Sequence, residues 1–387
     1  MTDSNTPIVV VAYNRAKSLT RLLKSISNAN YNGLSVPLFI SIDRAENNQD
    51  VLKIAQDFQW AYGRKEVIYN DVNLGLRKHI IKCASISKTY GSVIVLEDDL
   101  YVSPCFYVYA LQALKFSVDK NYISGISLYN HQLNVHKGVN FSAMEDGYDN
   151  WYFQFASSWG QAWTSSQFEE FLNWYQKQSN PLIKTEEVPD YVISWSDKSW
   201  LKYYISYLVE TNKYFLYPKI SLSTNFSDAG THVGNDSTAY QVPMLGVNTK
   251  EFNFSTLEES NSIYDSFYEN IKISKHLNIA DEHLCIDLAG YRKKYNKRFI
   301  ITPKVLDFKI IKSYSRSLKP IECNIFDDIT GSDIFLYDSE IHIKNSYVDH
   351  KKRQIFYYIK FISHRDSLIL ALELTKQRFK GILKKLF

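Results

Sequence analysis

The sequence predicts an α/β protein. A mostly parallel sheet flanked by helices is expected over residues 1–242, a smaller appended region of mixed character over 243–349, and a basic amphipathic helical tail over 350–387. Three observations predict it. Short β-branched runs alternate with amphipathic helical spacings through the first hundred residues, the pattern of crossovers that leave strands parallel. The stretch Ser92–Leu100, S-V-I-V-L-E-D-D-L, reads as a strand buried on both faces that ends without a spacer in Glu97, Asp98 and Asp99. From Lys351 onward, ten Lys or Arg stand against Asp366 and Glu373, a net of +8 that leaves −4 for the rest of a chain totalling +4.

Taken in order, Ile8–Tyr13 is the first strand, and Leu19, Leu22, Leu23 and Ile26 mark the inner face of the helix behind it. A second strand, Pro37–Ile42, ends at Asp43, and Val51, Ile54, Ala55 and Phe58 supply the next helical face. Glu66–Tyr69 is a third strand, followed by N-D-V-N-L-G-L-R and a helix expected over Leu76–Lys88. After the acidic triplet, Pro104 opens a helix to Val118, as Pro is tolerated in a first turn. Tyr122–Leu128 and Tyr214–Leu222 read as strands, the latter closing the core, with helices over Ser166–Gln178 and from Trp200. Asp149–Trp163 sets three Trp among small residues, which suits either core packing or a loop lining a sugar or nucleotide. Asp228–Gly234 is a loop by its Gly and Asp content.

Composition narrows the function classes. With 45% hydrophobic and 22% charged residues the chain is an ordinary folded protein, and disorder is excluded. Four widely spaced Cys give neither C-x-x-C zinc spacing nor a disulfide framework, so a reducing compartment is expected. The apolar run at Ile8 is too short for a signal-peptide core or a membrane span, which points to the cytoplasm of a bacterium. The tail, with Ile355, Ile359, Ile362, Leu368, Leu372 and Phe379 mostly on one helical side, suits an anionic membrane surface. Two ordinary helices packed on the core with solvated basic faces are the alternative. Nucleic acid is not an expected partner.

Three parallel strand ends carry Asn14-Arg15, Asp43 and Glu97-Asp98-Asp99, and ligands gather beyond such ends. No G-x-G-x-x-G or G-x-x-x-x-G-K-[ST] follows the strands, which argues against a dinucleotide oxidoreductase or a P-loop NTPase. Phosphates bound here would be held by metal and side chains. Three adjacent carboxylates repel one another and resist burial, so a divalent cation with oxygen ligands is the simplest compensation; a solvated acidic turn is the ordinary alternative.

The segments I-V-V-V-A-Y-N-R (8–15), V-P-L-F-I-S-I-D (36–43), V-I-V-L-E-D-D-L-Y-V-S-P (93–104), S-S-W-G-Q-A-W (157–163) and W-S-D-K-S-W (195–200) occur in that order. Together they resemble the metal-dependent GT-A glycosyltransferases, and within them the inverting N-acetylglucosaminyltransferase I type, over roughly residues 7–235. The resemblance implies a Rossmann-like nucleotide-sugar-binding domain, a UDP-sugar donor, and Mn²⁺ or Mg²⁺. Carried over by position, Arg15 would contact the donor's diphosphate or uridine side and Asp43 the uracil. Glu97 and Asp98 would face ribose and donor sugar, and Asp99 would ligate the metal. His79 is a looser match on the donor side, and His232, in G-T-H-V-G, is a second metal-side candidate. Asp197 stands where the family keeps its base, with Asp146, Asp149 and Asp228 next in line; its ordinary reading is an N-cap or first-turn acid.

The Golgi enzymes of this type begin with a membrane anchor and stem that have no counterpart here, and the basic tail has none there. The acceptor therefore does not transfer, and a lipid-linked glycan of bacterial surface polysaccharide, met on the inner face of the cell membrane, is expected instead. A nucleotidyltransferase acting on sugar phosphates would show a glycine-rich phosphate loop where this chain reads A-Y-N-R-A-K-S. A non-catalytic carbohydrate-binding protein of the same fold is the other alternative.

Overall fold

Ile8, Val9 and Val10 are fully buried, as are Ile40, Ile94 and Val95, so the first strands have no solvent face and must lie inside a sheet covered on both sides. The structure, a computed structural model, describes residues 6–179, 182, 185–226, 228, 240–346, 350–359 and 361–386. Strands β1 (Ile8–Ala12), β2 (Leu38–Ile42), β3 (Lys65–Tyr69) and β4 (Ser92–Glu97) are parallel neighbours, with Ile8 opposite Leu38 and Val11 opposite Glu97. Their crossovers are α1 (Ala16–Ser27), α2 (Gln49–Asp57), α3 (Leu76–Ala84) and the short α4 (Ser87–Tyr90). The single helix expected over 76–88 is thus two. Ser85 Oγ bonds back to Ile81 O at 2.7 Å, and three-residue turns through 85–86 tighten the chain before α4.

Beyond the acidic triplet come β5 (Leu100–Val102), α5 (Phe106–Ser117), β6 (Ile123–Ser127) and a hairpin of β7 (Leu133–Asn134) and β8 (Val139–Asn140). Next are β9 (Asn150–Phe153), β10 (Gln161–Thr164), α6 (Ser165–Tyr175), α7 (Asp190–Ile193), α8 (Trp200–Glu210), β11 (Tyr214–Pro218), β12 (Ser223–Asn225) and β13 (Ile263–Tyr264). The large sheet runs β13-β9-β11-β6-β10-β4-β1-β2-β3 and is mostly parallel, as expected; β10 is antiparallel to both its neighbours and β9 to β11. One face is packed by α1, α2 and α5, the other by α3, α6 and α8.

The strand expected over Tyr214–Leu222 stops at Pro218, which has no N–H to continue a ladder. It is not the last of the core. Strand β13 adds to the sheet beside β9, and Leu245, Phe252, Phe254 and Leu257 pack into the first core, so the large sheet claims more of the chain than a boundary at 242 anticipates. A smaller unit is built from the next elements: α9 (Lys272–Leu277), β14 (Leu284–Ile286), β15 (Phe299–Thr302), β16 (Lys309–Tyr314), α10 (Cys323–Phe326) and β17 (Ile334–Asp338). Its sheet, ordered β14-β15-β17-β16, encloses Ile273, Ile301, Tyr314, Ile325 and Ile334. Two helices end the chain, α11 (His350–Ile359) and α12 (His364–Leu386).

Candidate active site

Since β1, β2 and β4 are parallel neighbours, the residues just past their carboxyl ends fall on one edge of the sheet. Asp43 N donates to Ala12 O at 2.9 Å and Asp98 N to Val11 O at 3.0 Å, which sets both acids beside the β1–α1 turn holding Arg15. A cavity of about 360 Å³ opens there, and Arg15, Asp43, His79, Glu97, Asp98 and Asp99 all line it. Six of the eight residues assigned from the sequence therefore converge. His232 lies outside the described residues, and Asp197 is not part of the lining.

The Arg15 guanidinium bridges two carboxylates: Nη1 donates to Asp99 Oδ2 at 2.9 Å, and Nη2 to Asp98 Oδ1. Burial lowers the Arg15 pKa, but Asp99 and Asp98 more than reverse this, so the group is held as a cation. Burial pushes Asp98 up to about 6 despite Arg15, and Glu97 up to about 8, with repulsion from Asp99 adding to the latter. Glu97 Oε1, Asp98 Oδ2 and Asp99 Oδ1 are buried without a hydrogen-bond partner. Each such oxygen costs free energy unless something binds it.

Among the described residues, no three His, Cys, Asp or Glu side chains form a ready-made metal site. The orphaned oxygens nevertheless fit a hard divalent cation that takes one or two carboxylates from the protein and its other ligands from phosphate and water. Asp98 and Asp99 each have one oxygen on Arg15 and the other without a partner, so either could offer that oxygen to it.

Asp43 is held by the chain itself. Its Oδ1 accepts from Leu74 N at 2.8 Å and Arg44 N at 3.1 Å, and its Oδ2 from Gly75 N at 2.9 Å. Gly75 has φ +72°, a left-handed conformation in which a side chain would be strained, and this lets 73–75 turn into α3. His79, one turn into that helix, pairs its Nε2 with Ser41 Oγ at 2.8 Å. Burial pulls its pKa down to about 4, so it is a neutral imidazole at pH 7.

Asp197 does not cap α8. Ser199 does, accepting from Lys202 N at 3.4 Å. Asp197 is half exposed and its Oδ1 takes a hydrogen bond at 2.9 Å from Lys202 Nζ, a nearly buried ammonium that also donates to Trp195 O at 3.1 Å. Its neighbour Lys198 lines the cavity. Of the reserve acids, Asp146 accepts from Ser260 Oγ at 2.8 Å and Asn261 N at 3.0 Å, and Asp149 from Lys250 Nζ at 2.5 Å and Asn253 N at 2.9 Å; both tie down the 250–261 segment. Asp228 does reach the cavity. Strand β12 pairs with β5, Phe226 N donates to Asp99 O at 3.0 Å, and Asp228 is then held by Ser18 Oγ at 2.8 Å and by Arg21. Burial would raise its pKa, but the hydrogen bonds from Arg21 and Ser18 outweigh it and the shift is downward.

Of the three Trp in the 149–163 segment, one lines the cavity, and a further lining residue, Tyr240, escapes a reading of the sequence. Trp151 and Trp163 are core, whereas Trp159 faces the cavity with Tyr240, their ring centroids 4.8 Å apart and the planes 34° from parallel. Gly160, which follows Trp159, has φ +92°, and a Cβ there would stand 3.2 Å from Leu128 Cβ. Nothing local marks Tyr240.

Residues 8–135 match the family described as Glycosyl transferase family 2, a span that holds the β1, β2 and β4 ends of the cavity. No curated protein matches the chain. Among solved structures, it is similar to the mannosyltransferase PcManGT from Pyrobaculum calidifontis in complex with GDP-Man and Mn²⁺, at 11% identity and TM-score 0.35, covering 56% of this chain and 57% of that one. It is also similar to TarS 1–349 from S. aureus, at 14% identity and TM-score 0.31, covering 55% and 60%. The chain thus spans less than two thirds of each of these solved structures.

Proposed function

We propose that this chain, a glycosyltransferase by its family 2 domain, moves a sugar with inversion from a UDP-sugar, UDP-GlcNAc or a related hexose donor, to a lipid-linked glycan in bacterial surface polysaccharide synthesis. The observation that carries the reading is the cavity at the parallel strand ends, where one arginine, three partly unsatisfied carboxylates and the Asp43 clamp meet. A divalent cation there would offset the charge that develops on the leaving diphosphate. Arg15, held as a cation and largely buried, supplies a second positive charge to the same phosphates. Asp43 fixes the 73–75 turn and presents its one remaining lone pair to the base. The tilted Trp159–Tyr240 pair offers apolar faces of the kind that pack against sugar rings. A single in-line displacement needs one base opposite the leaving group, worth about 10² to 10⁴ in rate. Asp197 is our candidate.

The reading is tested by incubating the purified protein with UDP-, GDP- and dTDP-sugars, with Mn²⁺, Mg²⁺ or chelator, and following nucleotide release and thermal stabilisation. Metal-dependent release of UDP from one UDP-sugar is expected. Release from GDP- or dTDP-sugars alone would move the donor class. Pyrophosphate release from UTP and a sugar 1-phosphate would overturn glycosyl transfer in favour of nucleotidyl transfer.

A further inference from the structure

The two terminal helices differ in how they meet the protein. Helix α11 is seated: Gln354 is buried and donates to Ala289 O at 3.0 Å, Tyr357 OH donates to Leu318 O at 2.7 Å, and Arg353 pairs with Asp333 at 2.8 Å. The opposite side of α11, Ile355, Phe356 and Ile359, is exposed. Helix α12, over its described side chains, is not seated. Through 364–379 nearly every residue is exposed, including Leu368, Leu372 and Phe379, each more than half exposed. These three share one side of the helix at spacings of four and seven, and the sequence continues that seam in Ile382 and Leu386. By the same spacing Lys376, Lys380 and Lys384 flank it on one side, Arg378 and Lys385 on the other.

A face of this kind needs an occupant. The seam's spacing also suits pairing with a second copy, but the flanking positions of such a coiled coil would be Lys376, Arg378, Leu383 and Lys385, with no acid to meet the cations across the seam. Charge therefore favours an anionic partner. Among the described residues no helix is long and apolar enough to cross a membrane, so the occupant is a surface and not a bilayer core. We infer that α12 lies along an anionic membrane surface with its Leu368–Leu372–Phe379 seam among the acyl chains and its flanking cations at the lipid phosphates, while α11 stays on the protein as the fixed base. Long basic side chains lay their stems along the apolar boundary and lift their charges to the headgroups. This extends the proposed function to the acceptor's side and does not depend on which donor is used.

The test is co-sedimentation of the full-length protein with vesicles of phosphatidylcholine, with and without phosphatidylglycerol, at low and high salt. The wild type is expected to pellet with the anionic vesicles at low salt and to release as salt rises. Replacing Leu368, Leu372 and Phe379 together by Asp should lower the bound fraction at least tenfold with the thermal midpoint and UDP binding unchanged, because these three side chains are exposed on the protein. Gln354→Ala, on α11, should instead lower the thermal midpoint. Wild-type protein that stays in the supernatant, or that binds neutral vesicles equally well, overturns the inference. So does a dimer in solution that the triple substitution dissociates. Donor hydrolysis lost while vesicle binding persists would count against the proposed function alone.

Discussion

Arg15 Nη1 stands 2.9 Å from Asp99 Oδ2, at the centre of the carboxylates that β1 and β4 bring together. The guanidinium is the counter-charge to both Asp98 and Asp99 in a partly buried site. Removing one partner of a buried ion pair typically costs about 3–5 kcal/mol, since the other charge is left uncompensated.

Arg15→Gln should therefore destabilise the ligand-free protein by a few kcal/mol, at the lower end of about 3–5 because Arg15 is only three-quarters buried. A divalent cation can replace the lost charge, so Mn²⁺ should raise the variant's thermal midpoint more than the wild type's. Thermal unfolding with and without Mn²⁺ decides it. Equal shifts in the two proteins would mean that the carboxylates are not where the cation binds.

Asp43 has two roles that can be separated. As a clamp it satisfies Leu74 N and Gly75 N; as a reader it would choose among nucleotide bases. Asp43→Asn presents an N–H₂ to one of those amides and should cost about 1–3 kcal/mol for the donor left unpaired. If the residue also reads uracil, the variant's preference for UDP over GDP will narrow beyond its loss of affinity for both. A uniform weakening of the two, measured by calorimetry, would leave only the clamp.

Much of this site was legible in the sequence because its residues lie immediately after strands. A buried run such as V-I-V-L fixes its own end, and parallel crossovers force neighbouring ends to one edge, so Arg15, Asp43 and Asp99 could be placed together from pattern alone. Residues that arrive by long-range pairing could not. Asp228 reaches the cavity only because β12 pairs with β5 more than a hundred residues earlier, and Tyr240 only because its carbonyl accepts from Tyr129 OH at 2.9 Å. The break after Ala84 was hidden because the helical spacing continues across it, and β13 because two residues carry no period. The eventual partner of Asp197 was hidden for the opposite reason: a lysine five residues away looks like solvated charge until the fold buries it.

His79 gives a pH dependence with a definite sign. Its pKa falls from the ordinary 6.5 to about 4, chiefly by burial, so between these values the unfolded chain binds more protons than the folded one. Its contribution is present above pH 6.5 and is lost as the pH falls towards 4. That fall in pKa corresponds to about 3 kcal/mol at most. His79→Gln, which can still bond Ser41, should flatten that limb of the denaturation-midpoint profile. An unchanged acid limb would show that the imidazole is protonated in the fold.

Asp197 and Lys202 must be replaced as a pair. Lys202 is a nearly buried ammonium whose only carboxylate among the described residues is Asp197, so Asp197 has a structural task whatever its chemistry. A single substitution cannot separate the two. Asp197→Asn keeps an acceptor for Nζ but removes the compensating charge, so stability and turnover fall together whether the residue is a base or only a counter-ion. Removing the ammonium as well breaks the tie. In Asp197→Asn with Lys202→Met, the unpaired buried charge is gone and an apolar chain of similar length fills its place, so stability should return to near that of the wild type. If Asp197 takes the acceptor's proton, turnover in the double variant stays down by about 10² to 10⁴ while the UDP-sugar still binds. If turnover returns with stability, Asp197 is only the partner of Lys202, and Asp228, the one reserve acid lining the cavity, is the next residue to replace.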